Sequence, residues 1–142
     1  MKIEIPPIEE NPSPSDVQFL DDRIYEYNVE QTGVTDAKIL SYFIRDQRGD
    51  IIAGLYGWTW GGCCEVRNLW VRREFRKLGY GKGLLAAAER EALARGCVQI
   101  VLDTHSFQAP RLYQSVGFEI VGTFDGYPRG HKKHFMLKLL RT

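Results

Sequence analysis

The sequence predicts an α/β (α+β) fold with a central mixed sheet of about seven strands. Residues 37 to 71 have the pattern of three strands joined by short turns, which is typical of antiparallel pairing. Residues 66 to 103 then have the pattern of strand, helix and strand, which is typical of a right-handed parallel βαβ crossover. Seven segments carry strand character: residues 2–5, 37–46, 51–60, 63–71, 97–103, 118–124 and 133–140.

Length and charge limit the classes of protein to which this chain can belong. The 142 residues fit a single domain, 1–142, which is large enough to bury a core without disulfides. Because 19 basic and 18 acidic residues leave a formal charge of +1, we expect neither nucleic acid nor a membrane surface as a partner. No segment approaches the ~20 apolar residues that span a bilayer. The first residues also lack the apolar region of a signal peptide, so we expect a cytoplasmic protein.

The cysteines support the same compartment. The chain has three, and Cys63 and Cys64 are adjacent. An odd number without regular spacing suits a reducing environment better than a disulfide framework. We expect no metal site, because the chain has neither a Cys-x-x-Cys motif nor a Cys/His cluster.

The N-terminal third combines a proline-rich segment with one helix. Four prolines between residues 6 and 14 predict a loop. Ser15 or Asp16 then caps a predicted helix that runs to about Asn28, with Val17, Leu20, Ile24 and Tyr27 on its inner face. A turn is predicted for residues 31–36.

The second predicted strand of the sheet's antiparallel part is rich in aromatic residues and interrupted by glycines. Gly54 and Gly57 lie inside it, and glycine in a strand indicates a bulge or a close approach of two backbones. Trp58 and Trp60 share one face by strand alternation. They predict core packing or a contact within a homodimer.

A glycine-rich loop follows the third of these strands. Gly79, Gly81 and Gly83 alternate with other residues where a helix begins, and Arg76, Lys77 and Lys82 lie among them. Glycines allow successive backbone N–H groups to converge, and the first N–H groups of a helix have no partner within it. The positive end of the helix dipole and the basic side chains add to the attraction for an anion. The loop therefore predicts a phosphate site.

Two common nucleotide motifs fit this loop poorly. A Walker A loop requires Gly five residues before Gly81 and Ser or Thr after Lys82, and the chain has Arg76 and Gly83 there. A Rossmann loop requires a third glycine where Leu84 stands. Asp103, at the end of the next strand, stands where a Rossmann motif has the acidic residue that binds ribose. A nucleotide-dependent oxidoreductase is therefore an alternative function. Taken alone, the glycines are also consistent with an ordinary turn that binds no ligand.

Two blocks together indicate a family. The first is Arg76-x-x-Gly79-x-Gly81, and the second runs from Ser106 to Phe118 as S-x-x-A-x-x-x-Y-x-x-x-G-F. In this order, separated by a helix and a strand, they resemble the pyrophosphate loop and the Asn-x-x-Ala-x-x-x-Tyr-x-x-x-Gly-Phe stretch of the GNAT family of acyl-CoA-dependent N-acetyltransferases. The resemblance covers roughly residues 51–139. Ser106 departs from the family's Asn.

The resemblance implies helices on both faces of the sheet, acetyl-CoA as the cofactor, and direct acetyl transfer to a primary amine in a ternary complex. Backbone groups of the strand before the loop would pair with the pantetheine amides, and the Leu69 N–H would point at the thioester oxygen. Backbone N–H groups of residues 77–82 would hold the pyrophosphate. The cofactor-binding residues implied in this way are Leu69, Trp70, Val71, Arg76, Lys77, Leu78, Gly79, Tyr80, Gly81, Lys82, Ser106, Ala109 and Tyr113.

The resemblance also implies catalytic roles. Tyr113 matches the family's tyrosine near the cofactor sulfur, and with a pKa near ~10 it can protonate a thiolate at neutral pH. A core tyrosine is the alternative. Glu65, four residues before Leu69, matches the general base of some members, and a strand-edge pair with Arg67 is the alternative.

The acceptor side is less constrained. Asp103, His105 and His131 are alternative bases or substrate contacts, and Tyr127 lies in the polar loop 125–131. We expect this loop and the helix over residues 15–28 to flank the mouth of the site. Acidic residues in that helix and directly after it either attract a cationic amine or form a solvated face: Asp21, Asp22, Glu26 and Glu30. The acceptor is a small-molecule or peptide amine. A noncatalytic acyl-CoA-binding module is a further alternative, although Tyr113 disfavours it.

Overall fold

The computed structural model describes residues 2–140. Its internal contacts divide the chain into two compact units, one up to Thr35 and one from Asp36 onward.

The first unit consists of an extended segment and helix α1, Pro14–Thr32. The strand predicted for residues 2–5 is wrong, since residues 2–9 form no regular element. The prolines that follow it remove two backbone donors and leave too few residues to pair. Ser13 caps α1 by accepting the Asp16 N–H at 3.2 Å, and Gly33 ends the helix with φ 71°.

Helix α1 therefore begins earlier and ends later than predicted, because Gly33 is the first left-handed residue after residue 28. None of its residues is buried. The inner face predicted from Val17, Leu20, Ile24 and Tyr27 is exposed instead.

The second unit contains one mixed sheet. In the described residues it has six strands in the order β1-β2-β3-β4-β6-β5, and only β3 and β4 run parallel. The strands are β1 Lys38–Arg45, β2 Ile51–Trp60, β3 Cys63–Val71, β4 Gln99–His105, β5 Glu119–Phe124 and β6 Lys133–Leu139. The α/β class and the parallel pair are confirmed, and the count is one lower because residues 2–5 form no strand.

A bulge in β3 distorts the β2–β3 pair. The register moves from Tyr56 opposite Asn68 to Gly57 opposite Val66, so Arg67 is an extra residue. A Cβ built on Gly57 would lie 2.0 Å from the Glu65 carbonyl oxygen. Only glycine fits this approach, which confirms the prediction for Gly57.

The parallel pair separates soon after it forms. Strands β3 and β4 pair at three positions, the last of which is Glu65 opposite Val101. Beyond it, β3 continues against β2 to Val71 and β4 continues against β6 to His105. A gap therefore opens between the two strands.

Helices α2, Tyr80–Ala94, and α3, Pro110–Ser115, contribute to a single core with the sheet. The predicted face of α2 is confirmed, since Leu84, Leu85, Ala88 and Ala92 are buried. Pro110 occupies the first turn of α3, where its missing N–H costs nothing. No helix among residues 2–140 is both long and apolar enough to cross a bilayer.

Candidate active site

A cleft of about 730 Å³ lies at the gap between β3 and β4, wholly within the second unit. It extends from the end of β3 past the start of α2 to α3. Its lining residues are Leu69, Trp70, Val71, Phe75, Arg76, Lys77, Gly79, Tyr80, Gly81, Lys82, Phe107, Gln108, Ala109, Leu112 and Tyr113.

The glycine-rich loop forms one end of this cleft. Lys77 and Gly79 both have left-handed backbones, with φ of 62° and 91°. The Arg76 Nε donates to the Val71 carbonyl oxygen at 2.9 Å, which fastens the loop to the end of β3. The hydrogen bonds of α2 begin with the Gly83 N–H, which donates to the Gly79 oxygen at 2.9 Å. The N–H groups of residues 80–82 precede this ladder and are free to bind an anion.

Gly81 brings the start of α2 close to α3. A Cβ at this position would lie 3.1 Å from the Leu112 Cδ2. The absence of a side chain therefore lets the two helices meet beside the anion-binding N–H groups.

Tyr113 lies in the same cleft and is only 7% exposed. Its ring packs edge-on against Phe118 with centroids 5.8 Å apart. Burial, with a smaller contribution from the charge of Asp103, raises the pKa of Tyr113 to about 12. The hydroxyl therefore carries its proton throughout the neutral range and is available as a hydrogen-bond and proton donor.

The predicted bases lie on the other face of the sheet. Strand alternation puts Leu69 on the face of the core and Glu65 on the opposite face, together with Asp103 and His105 of β4. Glu65 is exposed and does not line the cleft, although it stands where β3 and β4 separate. Asp103 is engaged by Lys133, with Nζ 3.6 Å from Oδ1.

Four aromatic rings meet at the end of β4. His105 stacks on Phe107 with centroids 5.1 Å apart and planes at 5°. Tyr127 lies edge-on to His105 at 4.7 Å, and His131 lies edge-on to Phe107 at 4.9 Å. The structure thus brings together three residues predicted for the acceptor side.

Ser106 and Leu78, both predicted to bind the cofactor, do not line the cleft. The Ser106 Oγ accepts the Lys132 N–H at 3.0 Å and lies 3.0 Å from the His131 Nδ1. Ser106 therefore joins the loop 125–131 to the end of β4. The Leu78 side chain is exposed.

Four residues that line the cleft are not among those predicted from the sequence: Phe75, Phe107, Gln108 and Leu112. Phe107 and Gln108 directly follow Ser106 in the second block, so their position in that block was an available signal. The Gln108 Oε1 accepts the His105 N–H at 2.7 Å, which holds the segment against β4. The folding of the loop after β3 sets the position of Phe75, and the rotation of α3 about its axis sets that of Leu112. No local sequence pattern identifies either residue as part of the cleft.

The cysteines offer no nucleophile at this site. Cys63, Cys64 and Cys97 are free, and none lines the cleft. Burial raises the pKa of Cys64 to about 12 and also raises the pKa of Cys97. Among residues 2–140, no three His, Cys, Asp or Glu side chains lie close enough together to hold a metal ion.

Comparison with known proteins places this architecture in a family. Residues 6–118 match the model of the acetyltransferase (GNAT) family. The chain is 34% identical over 117 residues to a blasticidin-S acetyltransferase of Streptomyces morookaense, covering 78% of this chain and 84% of the relative. It is 35% identical over 109 residues to acetyltransferase Atu2258 of Agrobacterium fabrum, covering 77% and 80%.

A solved structure agrees with these relatives. The crystal structure of a candidate acetyltransferase from Agrobacterium tumefaciens matches with a TM-score of 0.86 and 28% identity, covering 99% of this chain and 100% of that one. The two proteins therefore share their overall fold. The chain belongs to the GNAT family of acetyltransferases.

Proposed function

We propose that this protein transfers the acetyl group of acetyl-CoA to a primary amine, by direct attack of the amine within a ternary complex. The observation that carries the proposal is the position of the cleft. The cleft extends from the anion-binding loop to Tyr113 on the core face of the sheet. It lies at the gap between β3 and β4, and Glu65 lies on the opposite face of the sheet where this gap begins. Cofactor and acceptor would then meet through the gap from opposite sides.

The residues of the cleft fit acetyl-CoA. The N–H groups at the start of α2 and the basic side chains of Lys77 and Lys82 suit a pyrophosphate. Beyond Glu65, the edge of β3 that faces the gap has no strand partner among residues 2–140, so Leu69 and Val71 can bond the pantetheine amides. Bound acetyl-CoA would supply an acetyl group activated as a thioester.

The chain's own residues would then manage charge and protons. The Leu69 N–H would stabilise the developing negative charge on the acetyl oxygen. Tyr113 would donate its hydroxyl proton to the sulfur as the C–S bond breaks, and its raised pKa keeps the hydroxyl protonated before that step. Because a thiolate is a weaker base than the tyrosinate left behind, the tyrosinate would then regain a proton from solvent.

Glu65 is our proposed acceptor for the proton of the attacking amine. Its carboxylate has no ion pair or hydrogen bond with another residue in the range 2–140, whereas Asp103 is engaged by Lys133. A base must be unoccupied to accept a proton, directly or through water. His105 and Asp103 are the alternatives for this role.

We further propose that the whole chain forms one N-acetyltransferase domain, since the family match over residues 6–118 extends across both units. A cytoplasmic location and a homodimer stay predictions. The oxidoreductase alternative is not proposed, because the chain belongs to an acetyltransferase family. The acceptor panel for any assay should include blasticidin S, on which a relative acts by its name.

Two measurements test the proposal. Acetyl-CoA should raise the melting temperature and NAD should not. CoA thiol should then be released only when acetyl-CoA is combined with an amine from a panel of small amines and peptide N-termini. A rise with acetyl-CoA but no release with any amine would contradict the catalytic proposal and support the noncatalytic acyl-CoA-binding module.

A further inference from the structure

The four rings at the end of β4 form a surface that the acetyl-transfer chemistry above does not use. We define the aromatic wall as His105, Phe107, Tyr127 and His131. Phe107 belongs both to this wall and to the lining of the cleft. The wall therefore borders the place where an acceptor would approach the acetyl group.

Phe107 remains accessible although it packs in the cluster. One of its faces is covered by His105 at 5.1 Å, and yet the residue is 58% exposed. A large exposed apolar surface beside a polar site is typical of ligand contact. His131 also lies edge-on to Phe107 at 4.9 Å, so it is the exposed part of the Phe107 side chain that is available for contact with a further ring.

The wall is held in place before any ligand arrives. The Gln108 side chain accepts the His105 N–H at 2.7 Å, and Ser106 joins His131 to the end of β4. The His105 Nδ1 is buried and has no hydrogen-bond partner among the described residues, and Nε2 does not share this combination. Because an unpaired buried N–H is costly, the neutral ring would carry its proton on Nε2. Fixed rings lose little entropy when they bind.

Charges beside the wall are compensated. Asp103 pairs with Lys133, and Asp125 pairs with Lys132. Recognition of a cation by these carboxylates would have to break existing ion pairs. Flat ring surfaces are thus the main means of recognition that the wall offers.

We propose that the aromatic wall selects acceptors in which the primary amine is joined by a short aliphatic link to a planar ring. The ring would pack against the exposed part of Phe107, and the amine would reach the gap between β3 and β4. This inference rests on the proposed acetyl transfer to an amine, and it adds the class of acceptor.

The test compares 2-phenylethylamine with 2-cyclohexylethylamine, which have the same carbon skeleton but differ in planarity. The wild-type kcat/KM should favour the planar amine by about tenfold. Phe107→Leu should reduce this ratio to about one, and Phe107→Tyr should retain it. Phe124→Leu is the matched control, because Phe124 is also 58% exposed and lies outside the cleft. A ratio near one in the wild type, or an unchanged ratio in Phe107→Leu, would overturn the proposal.

A binding measurement separates this proposal from the catalytic one. Calorimetry with CoA present should show N-acetyl-2-phenylethylamine binding at least fivefold more weakly to Phe107→Leu than to wild type. Equal binding by the two proteins would overturn the aromatic wall even where acetyl transfer proceeds. Absence of thiol release with both amines and the wider panel, despite this binding, would instead count against the proposed catalysis alone.

Discussion

Gly57 and Glu65 approach each other across β2 and β3 so closely that a Cβ on Gly57 would lie 2.0 Å from the Glu65 carbonyl oxygen. The contact lies beside the bulge at Arg67. The bulge in turn sets which face of the sheet Leu69 occupies, because each inserted residue reverses the alternation that follows it. Gly57 thus permits the close approach beside the bulge after which Leu69 lies on the core face.

Replacing Gly57 with Ala should destabilise the protein by at least ~3 kcal/mol, because the added carbon meets backbone that cannot rotate away. Urea unfolding measures this loss. Gly122→Ala is the matched control in another strand, since a Cβ there meets nothing within 4 Å. Equal stability of the two variants would contradict the proposed role of Gly57.

Gly81→Asp should weaken CoA binding more than tenfold, or ~1.4 kcal/mol, because it adds negative charge and bulk at the anion-binding start of α2. Titration calorimetry measures the affinity. Gly83→Asp adds the same charge two residues later, where a Cβ has open space and the N–H already bonds Gly79.

We expect Gly83→Asp to lose no more than about threefold, since the dipole effect of a single exposed charge is small. A Cβ on Gly81 lies 3.1 Å from Leu112, so the substitution also affects packing. The melting temperatures of the two variants show whether part of the loss in CoA affinity comes from this destabilisation. Equal losses in the two variants would show that charge alone, not the position of Gly81, is responsible.

Tyr113→Phe removes the hydroxyl and keeps the ring packed against Phe118. Acetyl-CoA affinity should survive, and kcat should fall by about 10² or more, the usual contribution of a general acid. Because burial raises the pKa of Tyr113 to about 12, its ionisation should not reduce wild-type activity below about pH 10. A wild-type kcat in the variant, with chemistry rate-limiting, would remove Tyr113 from the mechanism.

Glu65→Gln keeps the shape of the side chain and removes its charge. If Glu65 accepts the amine proton, the acidic limb of the pH profile of kcat/KM should disappear or shift while the basic limb stays. Acceptors of different amine pKa provide the control. A limb that follows the pKa of each acceptor would mean that the amine arrives neutral and that Glu65 is not the base.

Ser106→Ala distinguishes two roles for a residue that the family pattern assigns to the cofactor. Since its hydroxyl contacts His131 and Lys132, we expect the acceptor KM to rise by about three- to tenfold with little change in the acetyl-CoA KM. Steady-state kinetics with each substrate varied measure both constants. Ser115→Ala removes an exposed hydroxyl that bonds only the Leu112 carbonyl oxygen and serves as the control. A rise confined to the acetyl-CoA KM would restore Ser106 to the cofactor.

Local patterns in the sequence were sufficient for much of this architecture. Strands β2 and β3 match their predicted bounds, and the buried face of α2 follows directly from apolar spacing. The glycine-rich loop was also readable, because left-handed backbone at Gly79 and the donors at a helix start depend on adjacent residues. These features depend on interactions between residues that are close together in the sequence.

Packing of the whole chain determines which side chains face each other across the cleft and which lie on opposite faces of the sheet. Pairing of β3 with β4 ends at Glu65, and no local pattern indicates where parallel strands separate. Glu65 and Tyr113 lie on opposite faces of the sheet, because Glu65 alternates with the buried residues of β3 and Tyr113 belongs to the core. Phe107, Tyr127 and His131 meet only because β4 ends beside the loop that precedes β6. Local sequence patterns thus account for the strands of the sheet, the buried face of α2 and the anion-binding loop. The fold alone decided which side chains share the cleft, because contacts between distant residues depend on packing of the whole sheet.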